Sequence, residues 1–278
     1  TKILYDKDKK KASGVEVLDT MDNKTYEYKA KIIFVCASAL NSTWLLFNSA
    51  TDIWPGGLGS SSNELGHNVM DHHYNLGASG DVEGVEDKTE YGRRPAGFYI
   101  TRFANIPGDK KRDFVRGFGY QGGASRQGWG REIAEMNIGA DFKEALAEPG
   151  SWRIGATGFG EILPYHENKS SLDKNVKDKW ELPVHTMDAE MKENEIKMRK
   201  DIKEELIAML ESGGVKNIQT YDSGHAMGHG IHEMGTARMG RDPKTSVLNS
   251  NNQVWDALNV FVTDGACMTS SSCVNPSL

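Results

Sequence analysis

The sequence predicts a mixed α/β fold (α+β in its middle), with one domain interrupted by a second. Three observations carry this. Short β-type runs and an apolar strand–turn–helix open the chain. A β-leaning, glycine-rich middle closes on one long charged helix. From Gly224 to Leu278 the pattern returns to loops and a buried apolar strand. The expected segments are 1–75, 76–222 and 223–278.

The opening runs "TKILYD", "KASGVEVLDT" and "KTYEYKA" are separated by the turn signals "DKDKKK" and "MDN". Ile32 to Val35 is continuously apolar, as in a strand buried on both faces. "SALNSTWLLFNSA" comes next as a helix, with Leu40, Trp44, Leu45 and Phe47 as its apolar positions. "PGGLGSSSNELGHNVMDHH", from Pro55 to His73, reads as a loop. "AGFYITRF", "FVRGFGYQGG" and "IGATGFGEILP" read as strands of one sheet, and "REIAEMNIGADFKEALAE" as a helical insertion. The long helix is expected at about Ala189–Glu211. Its apolar side is Met191, Ile196, Ile202, Leu206, Ile207 and Leu210, and Gly213 and Gly214 stop it. "NVFVTD" is a second buried strand, ending at Asp264-Gly265.

Composition narrows the function classes. The 278 residues are 38% hydrophobic and 26% charged, enough to bury a sizeable core. A net charge of −6 argues against a nucleic-acid partner. No apolar run approaches the ~20 residues of a membrane span. Cys36, Cys267 and Cys273 are too few for a disulfide framework and read as small core fillers. Both ends read as cuts through a larger protein.

"GHAMGHGIHEMGTARMG", Gly224 to Gly240, places His225, His229 and His232 in H-x3-H-x2-H spacing. On a helix the three would share a face and suit a metal. Glycines at 224, 228, 230 and 235 weaken that helix by about 1 kcal/mol each relative to Ala. The H-E-x-x-H pattern is not met, because His232-Glu233 runs into Met234, Gly235 and Thr236. His225 and His229 therefore read as scaffold, and no metal is expected. A metal-dependent hydrolase built on these histidines stays an alternative at this point. So does a non-catalytic module that binds carbohydrate through the middle sheet.

His232 differs from the other two because it opens a longer motif. "GIHEMGTARMGRDPKTSVLNSNNQVWDALNVFVTDGACMTSSSCVNPSL" resembles the C-terminal signature of the glucose–methanol–choline (GMC) oxidoreductases. That signature is a His, a Met-Gly-Thr turn, an R-M-G-x-D-P loop, a strand ending in Asp and a late Asn-Pro. "KIIFVCASALNSTWLLFNSA" is similar to the family's strand–turn–helix, and "GGLGSSSNELGHNVMDHH" to its M-D-H loop. The resemblance implies part of a Rossmann-like FAD-binding domain, interrupted by a substrate domain with an antiparallel sheet and a long helix. It covers most of the chain and is weakest between Tyr74 and Ser151. Ser38 departs from the Gly usual at its position. The family's G-x-G-x-x-G phosphate loop lies near its N-terminus and is expected outside this sequence, so the implied partners include an N-terminal FAD-binding segment, besides an electron-acceptor protein.

The implied chemistry is oxidation of a CH–OH group of a sugar or polyol. FAD accepts the hydride, which no side chain can do. The resemblance makes His232 the base and Asn275 the second active-site residue, with an amide able to donate and accept. It places Asp264, Gly265, Ala266, Asn275 and Pro276 beside the flavin. The Asn and the "LNST" helix start both resemble the sugar-oxidising branch. Glu161, Tyr120, Trp129 and Phe159 are candidates to face a sugar, and the loop bearing His72 and His73 reads as structural.

Overall fold

The computed structural model describes residues 1–73, 75–93, 96–128, 139–224 and 227–276. The first strands are β1 (Lys2–Asp6), β2 (Lys11–Asp19), β3 (Lys24–Lys29) and β4 (Ile33–Val35), leading into helix α1 (Ala39–Asn48). Next come β5 (Leu76–Val82), β6 (Gly97–Ile100), β7 (Phe118–Arg126), α2 (Ala140–Ala147) and β8 (Trp152–Gly160). The chain continues through β9 (Lys169–Lys177), β10 (Pro183–Asp188), α3 (Glu193–Ser212) and β11 (Lys216–Asp222). It ends with β12 (Gln253–Val254), β13 (Ala257–Val262) and a 3-10 turn at Gly265–Cys267. The fold is mixed α/β, with more strand than helix.

Two compact units result. The first holds Thr1–His72, Ile162–Met191 and Ala226–Leu278, and the second holds His73–Glu161 and Lys192–His225. The β9–β10 hairpin thus packs with the first unit, although it lies inside the segment 76–222 expected as one block.

In the first unit β1, β2 and β3 form an antiparallel sheet in chain order. A second sheet has the order β12-β13-β4, with β13 parallel to β4. Val260 pairs with Ile33 and Val262 with Val35, so both strands end side by side. Leu46, Leu58, Leu248, Val254, Val260 and Val262 fill the core beneath. The run Ile32 to Val35 is not buried on both faces. Alternation turns Ile33 and Val35 inward and leaves Phe34 63% exposed, stacked on Phe261 at 5.0 Å. The buried side of α1 is Ala39, Ser42, Thr43 and Leu46, while Leu40, Trp44, Leu45 and Phe47 are half-buried. The two hydroxyls can sit inside because each finds a partner, Ser42 in Asp264 and Thr43 in Thr236.

In the second unit a five-stranded antiparallel sheet has the order β11-β5-β8-β7-β6. One face packs on α3, with Met198, Ile202, Leu206 and Leu210 against Leu76, Phe118 and Tyr120. Cross-strand pairing sets Tyr221, Gly77, Thr157, Gln121 and Tyr99 in one row on the other face. Helix α3 starts later than expected. Glu195 closes a capping box on the backbone N–H of Lys192 at 3.0 Å, and residues 189–191 before it form an irregular connection from the end of β10. Ile196, expected on its apolar side, is 57% exposed, and buried Arg199 pairs instead with Asp222. Gly214, at φ +77°, ends the helix as expected. Helix α2 forms the later part of the expected insertion; residues 129–138, Trp129 among them, lie outside the described residues.

Candidate active site

The signature segment is fixed by backbone hydrogen bonds on both sides. Met70 and Met234 exchange N–H to carbonyl bonds at 2.9 and 3.0 Å, and Gly66 N–H donates to Thr236 at 2.7 Å. On the other side Gly235, Ala237 and Met239 donate to the carbonyls of Gly265, Ala266 and Cys267 at 3.1, 2.9 and 2.9 Å. Gly235 has φ +100°, and a Cβ there would collide with the carbonyl of Asn68. Thr236 ties the segment to α1, pairing hydroxyl to hydroxyl with Thr43 at 2.6 Å.

Asp71 organises the histidine loop. Its buried carboxylate accepts four backbone N–H groups: His72 at 2.7 Å, Gly230 at 2.8 Å, Gly228 at 3.0 Å and His232 at 3.3 Å. Four amides converging on one carboxylate substitute for the water it loses on burial. The stretch is a loop rather than a helix, with Gly228 at φ +87° and Ile231 at φ +56°. His229 is exposed and His232 half-buried, whereas His225 lies outside the described residues. Among the described residues, no three His, Cys, Asp or Glu side chains come together as a metal site.

His232 meets His72. Their Nδ1 atoms are 2.7 Å apart, with the rings nearly perpendicular at 86°. His72 is buried, and its Nε2 hydrogen-bonds the carbonyl of Ser272. Burial lowers the His72 pKa below its ordinary value, with the Ser272 carbonyl opposing and the neighbouring His232 adding to the effect. Burial also raises the carboxyl of Glu233, next to His232. Among the described residues, Nε2 of His232 makes no protein hydrogen bond.

The paired ends of β4 and β13 form the adjoining edge. Thr263 N–H donates to Val35 at 3.2 Å. Asp264 accepts the Ala266 N–H at 3.0 Å through Oδ1 and the Ser42 hydroxyl through Oδ2. Ser42 in turn accepts the Ala37 N–H at 3.0 Å. The Asp264 carboxylate therefore fastens one strand end to the other, and Ala266 has both backbone polar groups engaged inside. A Cβ on Gly265 would stand 2.5 Å from the carbonyl of Glu233. Asn275 is exposed and Pro276 half-buried, a few residues beyond Ser272. Cys267 and Cys273 are buried, but Cys36 is exposed, 3.0 Å from the Thr263 hydroxyl, and is no core filler.

This edge suits a dinucleotide on topology. Parallel strands end together, Ala37, Ser38 and Thr263 are exposed there, and ligands of open α/β sheets bind beyond such strand ends. The G-x-G-x-x-G match in the sequence, residues 117–122, runs along strand β7 rather than from a strand into a helix start, so it is not a loop that would seat a pyrophosphate.

The proposed sugar-facing residues separate. Tyr120 is fully buried and donates to the Ile202 carbonyl at 2.7 Å, so it is core. Glu161 is buried and pairs with Arg102 at 3.0 Å; burial raises its carboxyl, with Arg102 opposing. Phe159 is half-buried on β8. Asp71, His72 and Ser272 were not singled out as functional by sequence. The available signal was the acid-then-histidine pattern of "VMDHH".

Two GMC oxidoreductase family models match the chain, one over residues 1–74 and one over residues 164–278. The chain belongs to the GMC oxidoreductases, a family of FAD flavoenzymes. It is 32% identical to the 2-methyl-1,2-propanediol dehydrogenase of Mycolicibacterium austroafricanum, over 96% of this chain and 48% of that protein. It is 25% identical to the fructose dehydrogenase large subunit of Gluconobacter japonicus, over 92% of this chain and 46% of that subunit. A single-residue variant of the formate oxidase of Aspergillus oryzae RIB40 shares the fold, with a TM-score of 0.59 at 12% identity over all of this chain and 56% of that one. The chain thus spans about half the length of the relatives it matches.

Proposed function

We propose that this chain is the C-terminal part of an FAD-dependent oxidoreductase that oxidises a CH–OH group of a sugar or polyol, with His232 as the proton acceptor. The observation that carries this is the state of His232. Asp71 holds its backbone, His72 engages its Nδ1, and among the described residues its Nε2 makes no protein hydrogen bond. Relatives named as dehydrogenases of a diol, of fructose and of gluconate support the substrate class. The first unit is read as part of a Rossmann-like FAD-binding domain and the second as the substrate domain.

FAD, when bound, supplies the acceptor for the hydride. His232 Nε2 takes the hydroxyl proton, while the hydrogen on the adjacent carbon leaves with two electrons; the alcohol becomes a carbonyl. Asn275 orients the substrate oxygen. Gly265, Asn275 and Pro276 would line the cofactor, while buried Ala266 and the Asp264 carboxylate hold the strand-end turn. An N-terminal segment supplies the phosphate loop, and an electron-acceptor protein is a proposed partner. The test is anaerobic addition of sugars and polyols to the intact, FAD-loaded protein. Bleaching of the flavin absorbance by such a donor is expected. No bleaching across diols, hexoses and sugar acids would overturn the substrate class.

A further inference from the structure

We propose that His72 is a positioning residue: it sets His232 in the tautomer whose lone pair lies on Nε2. Its catalytic meaning rests on the reading of His232 as the proton acceptor; the tautomer itself does not.

Counting hydrogens assigns the tautomer. A carbonyl oxygen only accepts, so the hydrogen between His72 Nε2 and Ser272 belongs to His72. A neutral His72 then carries its lone pair on Nδ1. The Nδ1 to Nδ1 contact of 2.7 Å needs one hydrogen, and only His232 is left to supply it. Neutral His232 is therefore Nδ1–H, and its basic nitrogen is Nε2. Burial of His72 favours its neutral form and supports the same assignment.

The arrangement also selects where charge resides. A proton arriving on His232 Nε2 makes an imidazolium whose Nδ1–H···Nδ1 bond becomes charge-assisted. Adding a second proton to the pair would set two N–H groups head to head, so the pair holds one extra proton. The charged groups nearby are Asp71, which bonds the backbone N–H of both histidines, and Glu233. His72 comes from the M-D-H loop, 160 residues before its partner.

The test is a long-range proton–nitrogen NMR spectrum of the intact flavoprotein, labelled with 15N-histidine, at a pH where His232 is neutral. The expected result is the Nδ1–H tautomer for His232. His72→Phe keeps a ring but removes the acceptor; it should abolish the tautomer preference and slow flavin reduction roughly ten- to a hundredfold, by analogy with losing the partner that orients a metal-bound histidine. His72→Asn, which offers an amide oxygen to Nδ1, should restore the preference. An Nε2–H tautomer in the parent, or a preference unchanged by His72→Phe, overturns the proposal. Full flavin reduction in His232→Ala would overturn the proton-acceptor reading instead, while leaving the NMR result on the pair standing.

Discussion

Asp71 Oδ2 accepts the backbone N–H of Gly230 at 2.8 Å, two residues before His232, and the same carboxylate bonds His232 itself. The position of the histidine thus depends on a side chain that is itself saturated by backbone amides. Asp71→Asn retains one acceptor oxygen but surrenders part of the four-amide cluster. Its expected cost is about 1–3 kcal/mol of stability, read by thermal unfolding, with a loss of flavin reduction larger than the stability loss predicts. Wild-type unfolding and activity would remove Asp71 from this role.

Gly235 is the second structural requirement. Its φ of +100° and the carbonyl of Asn68 beside it leave no place for a Cβ. Gly235→Ala should destabilise the protein by more than about 1 kcal/mol, seen as a lower denaturant midpoint.

Acid stability is expected to depend on Asp222. Burial would raise its carboxyl, but hydrogen bonds from Arg199 and Lys203 outweigh burial and lower it from 3.8 to about 2. A depressed carboxyl contributes stability that is complete above its unfolded value near 3.8 and is lost as pH falls toward 2. Asp222→Asn should flatten that limb of the stability–pH curve and cost about 1 kcal/mol at neutral pH, the scale of a partly exposed pair.

Tyr120→Phe removes a hydroxyl that donates to the Ile202 carbonyl in the core. The expected change is about 1 kcal/mol of stability with kcat/KM unaltered. A selective rise in KM for a sugar would return Tyr120 to the substrate-facing set.

Much of the fold is legible in the sequence because it rests on local pattern. The alternation in "KASGVEVLDT" becomes β2, and "SALNSTWLLFNSA" becomes α1. The two part where tertiary partners override pattern. Ser42 and Thr43 look like surface residues until Asp264 and Thr236 arrive from more than 190 positions away. Phe34 reads as core because its run is apolar, yet alternation leaves it outward. At the site, His232 can be singled out from its motif. Its dependence on Asp71 and His72 cannot, because no spacing rule links a loop near residue 70 to one near residue 230. The three-histidine spacing suggests a helix, and the left-handed backbone at Gly228 and Ile231 shows why none forms.

The central claim is that His232 takes the substrate proton, and rapid-mixing measurement of anaerobic flavin reduction in His232→Ala tests it most directly. With FAD retained and the protein folded, the predicted rate is lower by roughly 10²–10⁴. A rate equal to that of the parent protein would contradict it.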